Sequence, residues 1–313
     1  FRFLTSVREW RIIIHVVVHL PKGVDILNLI NDLRNLSWEA ADTLNYYAKK
    51  LNDSKDNSFI IKNKDNQDPV TLADLKVNEI IIERINEKYK NIDWEILSEE
   101  NVKKDFHNCD INSKWLWVLD PLDGTKDFIQ GTGNYAMHLG LNKEKKSYLG
   151  LVLIPEKNEL WITDSEKTWC ERRNKSIVEH HFSPKKKLEE MIIVTSKNHQ
   201  NRILNKLIEK ANFKEVVIMG SIGCKIASIL RGESDIYICL SLPNESCPKD
   251  WDFAAPASIL KAAGGAITDI DNKELFYGSS NFEQRGIIIA SNNKKTHKNI
   301  CMKIKELLKI NNL

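Results

Sequence analysis

Residues 115–128 read Trp-Leu-Trp-Val-Leu-Asp-Pro-Leu-Asp-Gly-Thr-Lys-Asp-Phe. The first five are apolar and mostly bulky, which predicts a buried strand over 115–119. The strand then stops on charge. Asp120 and Asp123 stand three residues apart about Pro121, and Gly124 and Thr125 follow. Pro121 has a fixed φ and biases Asp120 toward extended backbone. Gly124 permits a tight or positive-φ backbone. Two carboxylates held at a strand end by a stiff turn suit a hard divalent cation, which takes oxygen ligands. An Asp-rich turn is the plainer account of the same residues, because Asp-Gly is a common turn dipeptide. Taken alone, the stretch does not separate the two.

What surrounds it is ordinary for a globular chain. With 313 residues, 42% hydrophobic and 28% charged, the protein can build one large domain or two lobes. A net charge of +3 is too small to point to nucleic acid. The six cysteines show no Cys-x-x-Cys spacing, which favours reduced thiols in a cytosol over zinc or a disulfide framework. Residues 1–21 are expected to lie outside the core. Within them 12–20 is apolar, but His15 and His19 interrupt it. The run is too short to span a bilayer and has no small-residue cleavage site. An extra strand or a disordered extension is expected there, with a cytoplasmic location and no membrane partner.

Periodicity supplies the elements. Ile26, Ile30, Leu33, Ala40, Leu44, Tyr47 and Leu51 predict an amphipathic helix over 26–51. A polar loop follows over 52–68, then a helix over 71–89 with Val77, Ile81 and Ile85 on one face. Thr71-x-x-Asp74 has the pattern of a capping box, which by itself accounts for Asp74. A short strand over 94–97 ends in Ser98-Glu99-Glu100. Strands over 135–141, 148–154 and 160–164 are separated by turns, as in an antiparallel meander. Beyond Pro184, strands and helices alternate to Ile270, the mark of an α/β lobe. The last helix of that series is expected over 252–263, with Asp252 as its N-cap. Pro256 is expected in its first turn, where proline is tolerated.

Three stretches accompany the central one. They are Asp68-Pro-Val-Thr-Leu-Ala-Asp74, Ile96-Leu-Ser-Glu-Glu100, and Trp251-Asp-Phe-Ala-Ala-Pro-Ala-Ser-Ile-Leu-Lys-Ala-Ala-Gly-Gly265. In order and wording the four segments resemble the inositol monophosphatase superfamily of metal-dependent, lithium-sensitive phosphatases, over roughly residues 22–300. Pro256 departs from the glycine usual in that family. The resemblance agrees with an α/β (α+β layered) sandwich of alternating helix and sheet layers. Its parts would be a metal-binding α+β lobe with an antiparallel sheet (22–178) and an α/β lobe (179–313) contributing Asp252 and the substrate side.

The resemblance also implies roles. Asp74 and Thr125 would orient and deprotonate the attacking water. Glu99, Asp120 and the Leu122 carbonyl would hold one metal, and Asp120, Asp123 and Asp252 another, with Glu100 behind them. Five carboxylates in one cleft repel one another unless cations neutralise them, so two or three Mg²⁺ ions are the natural fill. Gly124 and Thr125 would offer backbone N–H groups to the phosphate.

For the substrate, Lys126-Asp127-Phe128 is similar to the Lys-Glu-Phe of bacterial 3'(2'),5'-bisphosphate nucleotidases rather than the Thr-Asn-Phe of inositol monophosphatases. Gly220-Ser221-Ile-Gly-Cys-Lys225 and Thr195-Ser-Lys-Asn-His199 resemble the same subgroup, in which Ser221, Lys225 and His199 would face the nucleotide. A helix cap, a solvated lysine and a surface histidine are their plain alternatives. The expected reaction is hydrolysis of 3'-phosphoadenosine 5'-phosphate, and of the 5'-phosphosulfate analogue, which links the chain to sulfur assimilation. The partner is a small phosphate ester, and the chain a monomer or homodimer. An inositol monophosphatase or sugar bisphosphatase is the alternative enzyme. A catalytically silent nucleotide-binding regulator is the alternative class, disfavoured by the intact carboxylates and Thr125.

Overall fold

The computed structural model describes residues 19–53, 61–62, 70–104, 111–174, 176–178, 180, 182, 187–196, 201–243, 245–279 and 281–312. The expectations for residues 1–18 and for most of the 52–68 loop lie outside them. In chain order the elements are α1 (Ile26–Asp53), β1 (Ile61–Lys62), β2 (Val70–Thr71), α2 (Leu72–Lys88), β3 (Glu95–Ser98), α3 (Glu99–Lys104), β4 (Trp115–Asp123) and α4 (Thr125–Ile129). A run of strands follows: β5 (Ala136–Lys143), β6 (Lys146–Ile154), β7 (Glu159–Thr163), β8 (Thr168–Arg172) and β9 (Ile177–Val178). Then come β10 (Ile192–Thr195), α5 (Arg202–Ala211), β11 (Glu215–Ile218), α6 (Ile222–Leu230), β12 (Ile236–Ser241), α7 (Asp250–Ala262), β13 (Ala266–Asp269), β14 (Gly286–Ser291) and α8 (Lys294–Ile310). Among the described residues no helix is long and apolar enough to cross a membrane.

Strands β3 to β9 pair in sequence order as one seven-stranded sheet, and a five-stranded sheet has the order β11-β10-β12-β14-β13. The meander is antiparallel except at its edge, where β3 runs parallel to β4. That exception brings the C-terminal ends of β3 and β4, Ser98 and Asp120, to the same sheet end. The second sheet is mixed, since β10 is parallel to β11 and β12 while β14 runs antiparallel to β12 and β13. Strand β14 and helix α8 lie beyond the alternation read to Ile270. Their signals are the apolar run Ile287–Ala290 and the spacing of Ile300, Ile304 and Leu308.

Alternating side chains divide the seven-stranded sheet. Trp117, Leu119, Met137, Leu139, Leu151 and Leu153 pack with α1 and α2. Their neighbours Leu116, Val118, Ala136, Val152 and Ile154 pack with α6 and α7. The same two helices meet the five-stranded sheet through Tyr237, Cys239, Ile288 and Ala290. That sheet's far face is covered by Leu204 and Leu207 of α5 and by Ile300 and Ile304 of α8. The result is a five-layer α/β sandwich, each sheet covered on both faces by helices, with α6 and α7 buried between the two sheets.

Helix α7 sits between the sheets because glycines of two strands, Gly140 of β5 and Gly150 of β6, make room for it. A Cβ at Gly140 of β5 would lie 2.9 Å from the Ala255 amide nitrogen and 3.0 Å from the Ala254 carbonyl carbon. Helix α7 starts two residues earlier than expected, at Asp250, with Lys249 as N-cap, so Asp252 is not the cap but its third residue, N3. The bond that moves it is Lys249 N–H to Asp252 Oδ2, 2.6 Å. Pro256 therefore falls not in the first turn but inside the helix. Having no N–H, it leaves the Asp252 carbonyl without its usual i+4 donor.

Gly140→Ala tests this packing. In an unhindered strand the change stabilises by up to ~1 kcal/mol, because glycine loses more backbone entropy on folding. Against the α7 backbone it should instead destabilise by ~1–3 kcal/mol, the usual cost of overpacking, read as a lower denaturant midpoint. A raised midpoint contradicts the close approach.

Candidate functional site

The site begins with an irregularity in β4. Asp120 pairs with His138 of β5 and Asp123 with Ala136, so β4 carries one residue more than its partner between these points. In a regular strand residues three apart face opposite ways. The extra residue turns Asp123 to the side of Asp120, and Pro121, which lacks a donor, sits in the bulge. Leu122 points the other way into the α1/α2 core. Gly124 ends the strand in the left-handed region, φ +89°, and a Cβ there would meet the Asn134 carbonyl oxygen at 2.9 Å.

Helix first turns bring the other carboxylates. Asp74 is the N3 residue of α2 in a capping box with Thr71, and its Oδ2 accepts from Thr71 N (2.8 Å) and Oγ1 (2.6 Å). Its Oδ1 faces Thr125 Oγ1 at 3.3 Å. The cap and the functional reading thus use different oxygens of one side chain. Asp252 repeats the pattern at the head of α7. Carboxylate oxygens of Asp120, Asp123 and Asp252 lie within 4.8 Å of one another, close enough that the three could hold a metal ion. All the donors are hard oxygens, which suit Mg²⁺ better than zinc. The cleft they line has a volume of about 530 Å³, and Glu99, Thr125, Ser221 and Lys225 line it too.

Crowding marks the electrostatics. Burial, then Glu99, Asp123 and Asp252, push the Asp120 carboxyl well above the usual range. Burial, then Asp123, does the same to Asp252. Burial raises Asp74 to about 7, and the charges of Glu100 and Glu99 add to it. Glu99 is also raised by burial, against the opposing pull of Lys103.

Asp123 joins the two sheets' elements. Its Oδ2 accepts from Ser221 Oγ (2.7 Å), from Ile222 N and from Gly223 N (3.3 Å), which caps α6. Ser221 is the N-cap itself, held at φ +42°, and its Oγ also accepts from Cys224 N. Lys225, 2% exposed, donates to the Ser221 carbonyl at 3.2 Å and has no ion pair among the described residues. Burial lowers its pKa. Glu100 is buried and pairs with Lys103 at 3.1 Å. The Leu122 carbonyl accepts from Thr125 Oγ1 at 3.1 Å. His199 lies outside the described residues.

Two neighbours went unread in the sequence. Lys103 lies 2.8 Å from Glu99, and its signal was the i,i+4 spacing on a short helix that was not expected. His138 is fully buried, with Nε2 3.3 Å from Asp123 Oδ2 and Nδ1 3.3 Å from the Trp251 carbonyl oxygen. It thereby spans the β4 end and the head of α7. Its signal was a histidine on the inner face of an apolar strand.

Comparison with known proteins follows the same lines. The chain is 27% identical to the 3'(2'),5'-bisphosphate nucleotidase CysQ of Escherichia coli K12 over 223 residues, 70% of this chain and 82% of that one. CysQ of Aggregatibacter actinomycetemcomitans is 26% identical over 264 residues, 80% of this chain and 87% of the relative. The extragenic suppressor protein suhB of Bartonella henselae shares the fold, with a TM-score of 0.69 at 21% identity over 90% of this chain and 98% of its own. The profile of the inositol monophosphatase family matches residues 28–309, and the chain belongs to that family.

Proposed function

We propose that the chain is a Mg²⁺-dependent 3'(2'),5'-bisphosphate nucleotidase that hydrolyses the 3'-phosphate of 3'-phosphoadenosine 5'-phosphate to AMP and phosphate. The observation that carries the phosphatase chemistry is the pairing of Asp74 with Thr125 beside the Asp120–Asp123–Asp252 cluster. A bound divalent ion would neutralise the carboxylates and the phosphate and acidify the attacking water. Glu99, Asp120 and the Leu122 carbonyl would hold one ion, and Asp120, Asp123 and Asp252 another.

The chain's own residues handle the proton. One hydroxyl proton cannot serve two acceptors, so Thr125 Oγ1 donates to the Leu122 carbonyl or to Asp74. With the Leu122 carbonyl engaged elsewhere, the donation would go to Asp74, leaving a Thr125 lone pair for the water. The water oxygen forms the new P–O bond as the P–O3' bond breaks. Its proton passes through Thr125 to Asp74, whose burial favours taking up a proton. Gly124 and Thr125 present backbone N–H groups to the phosphate.

Two observations support the nucleotide. The CysQ relatives carry that activity in their names. Lys225 is a buried ammonium on the cleft wall without a carboxylate partner among the described residues, and such a group favours an anion. We assign it the 5'-phosphate. Ser221 orients Asp123, and the remaining lone pair of its hydroxyl is what it can offer the nucleotide. His199 is assigned to the nucleotide side on its sequence context alone.

Phosphate release from a substrate panel with Mg²⁺ tests the reading. 3'-Phosphoadenosine 5'-phosphate should be the best substrate, and Lys225→Ala should lower its kcat/KM roughly ten- to a hundredfold, or ~1.5–3 kcal/mol, while 3'-AMP is hardly affected. Preference for inositol 1-phosphate, or equal losses on every substrate, contradicts the assignment.

Asp74→Asn separates the cap from the base. Asparagine keeps an oxygen for the Thr71 amide but cannot take a proton. Stability should change by no more than ~1 kcal/mol, while kcat falls by about 10²–10⁴-fold. Near-parental kcat refutes the base role.

A further inference from the structure

Glu99 is held unlike its neighbours in the cleft. Asp74, Asp120, Asp123 and Asp252 each accept from a main-chain amide. Among the described residues no main-chain donor reaches the Glu99 carboxylate, and its ion partner is the Lys103 ammonium at 2.8 Å. Lys103 also binds Glu100 at 3.1 Å, and Glu100 is buried with no other partner among the described residues. Helix α3 makes both contacts by spacing alone, since Lys103 is i+4 from Glu99 and i+3 from Glu100. The Lys103 side chain is 27% exposed and lines the cleft. Glu99 also stands outside the group of three carboxylates whose oxygens already gather within 4.8 Å.

We propose that Lys103 is a built-in cation at the Glu99 corner, which a divalent ion must displace from Glu99 before it binds there. This rests on the reading of Glu99 as a metal ligand. Glu100 is the residue that keeps the ammonium close after displacement, because a buried carboxylate without a partner is costly. The Asp120–Asp123–Asp252 corner has no ammonium in ion-pair contact among the described residues; Lys225 acts on Asp123 and Asp252 only through space and donates instead to the Ser221 carbonyl. Two ions should therefore enter in unequal steps, and Lys103 sets the gap. The lysine is a positioning residue, acting through Glu99 rather than on the substrate.

Calorimetric titration of the substrate-free protein with Mn²⁺ reads the two steps. The parent should show a tight and a weak step, or a tight step alone. Lys103→Gln should strengthen the weak step, or bring it into range, by roughly tenfold or more, because one unit charge within 4–6 Å commonly shifts a neighbouring ionic equilibrium by that much. The tight step should move far less. Lys103→Arg keeps the charge and should behave as the parent. Should Lys103→Gln fail to fold because Glu100 is orphaned, Glu100→Gln compared with Glu100→Gln/Lys103→Gln gives the same difference without a stranded buried charge. Weak steps equal within twofold with and without the lysine overturn the proposal, while a tight step that persists leaves the metal reading standing. A parent that binds no Mn²⁺ overturns both.

Discussion

Four carboxylates, two buried and two half-buried, are each tied by one oxygen to a backbone amide, and the site depends on that arrangement. Asp74 accepts from Thr71, Asp120 from Leu122, Asp123 from Ile222, and Asp252 from Lys249. A charge-assisted bond to a fixed amide removes side-chain freedom and favours the charged form, against the burial and crowding that oppose it. The second oxygen of Asp74 faces Thr125, and one oxygen of each of the other three joins the cluster. The carboxylates are thus placed before any ligand arrives, which is the condition for strong electrostatic action in a site.

The layers exist to deliver those amides. Asp74 and Asp252 are N3 residues of α2 and α7, so the helix start that needs a cap also aims the carboxylate. Asp123 caps α6 from another element altogether, which locks the end of β4 to the helix layer between the sheets. Close approach at Gly140 brings α7 near enough for Asp252 to meet the β4 bulge. Removing one of these contacts shifts a ligand as well as a helix.

Much of this was readable beforehand. The apolar run before Asp120, the capping box at Thr71 and the alternation beyond Pro184 each announced an element through a local rule. The site residues were named by resemblance, and the structure brings Asp74, Thr125, Asp120, Asp123, Asp252, Glu99, Ser221 and Lys225 into or beside one cleft. What failed were quantities fixed by register. The start of α7 depends on a backbone bond to Lys249, so Asp252 lies at N3, three positions on from the N-cap expected for it, and Pro256 moves with it. The parallel pairing of β3 with β4 is a long-range fact that a meander pattern hides. Lys103 and His138 were invisible because α3 is short and His138 gains its meaning only from the elements that cross over it.

The central claim is that Asp120, Asp123 and Asp252 form a divalent-cation site. Anomalous difference density from crystals soaked in Mn²⁺ tests it most directly. The account predicts a strong peak about 2–2.3 Å from oxygens of all three residues, lost in Asp120→Asn crystals. A saturating soak that leaves no peak among these oxygens, in protein that hydrolyses phosphate esters at its normal rate, contradicts it.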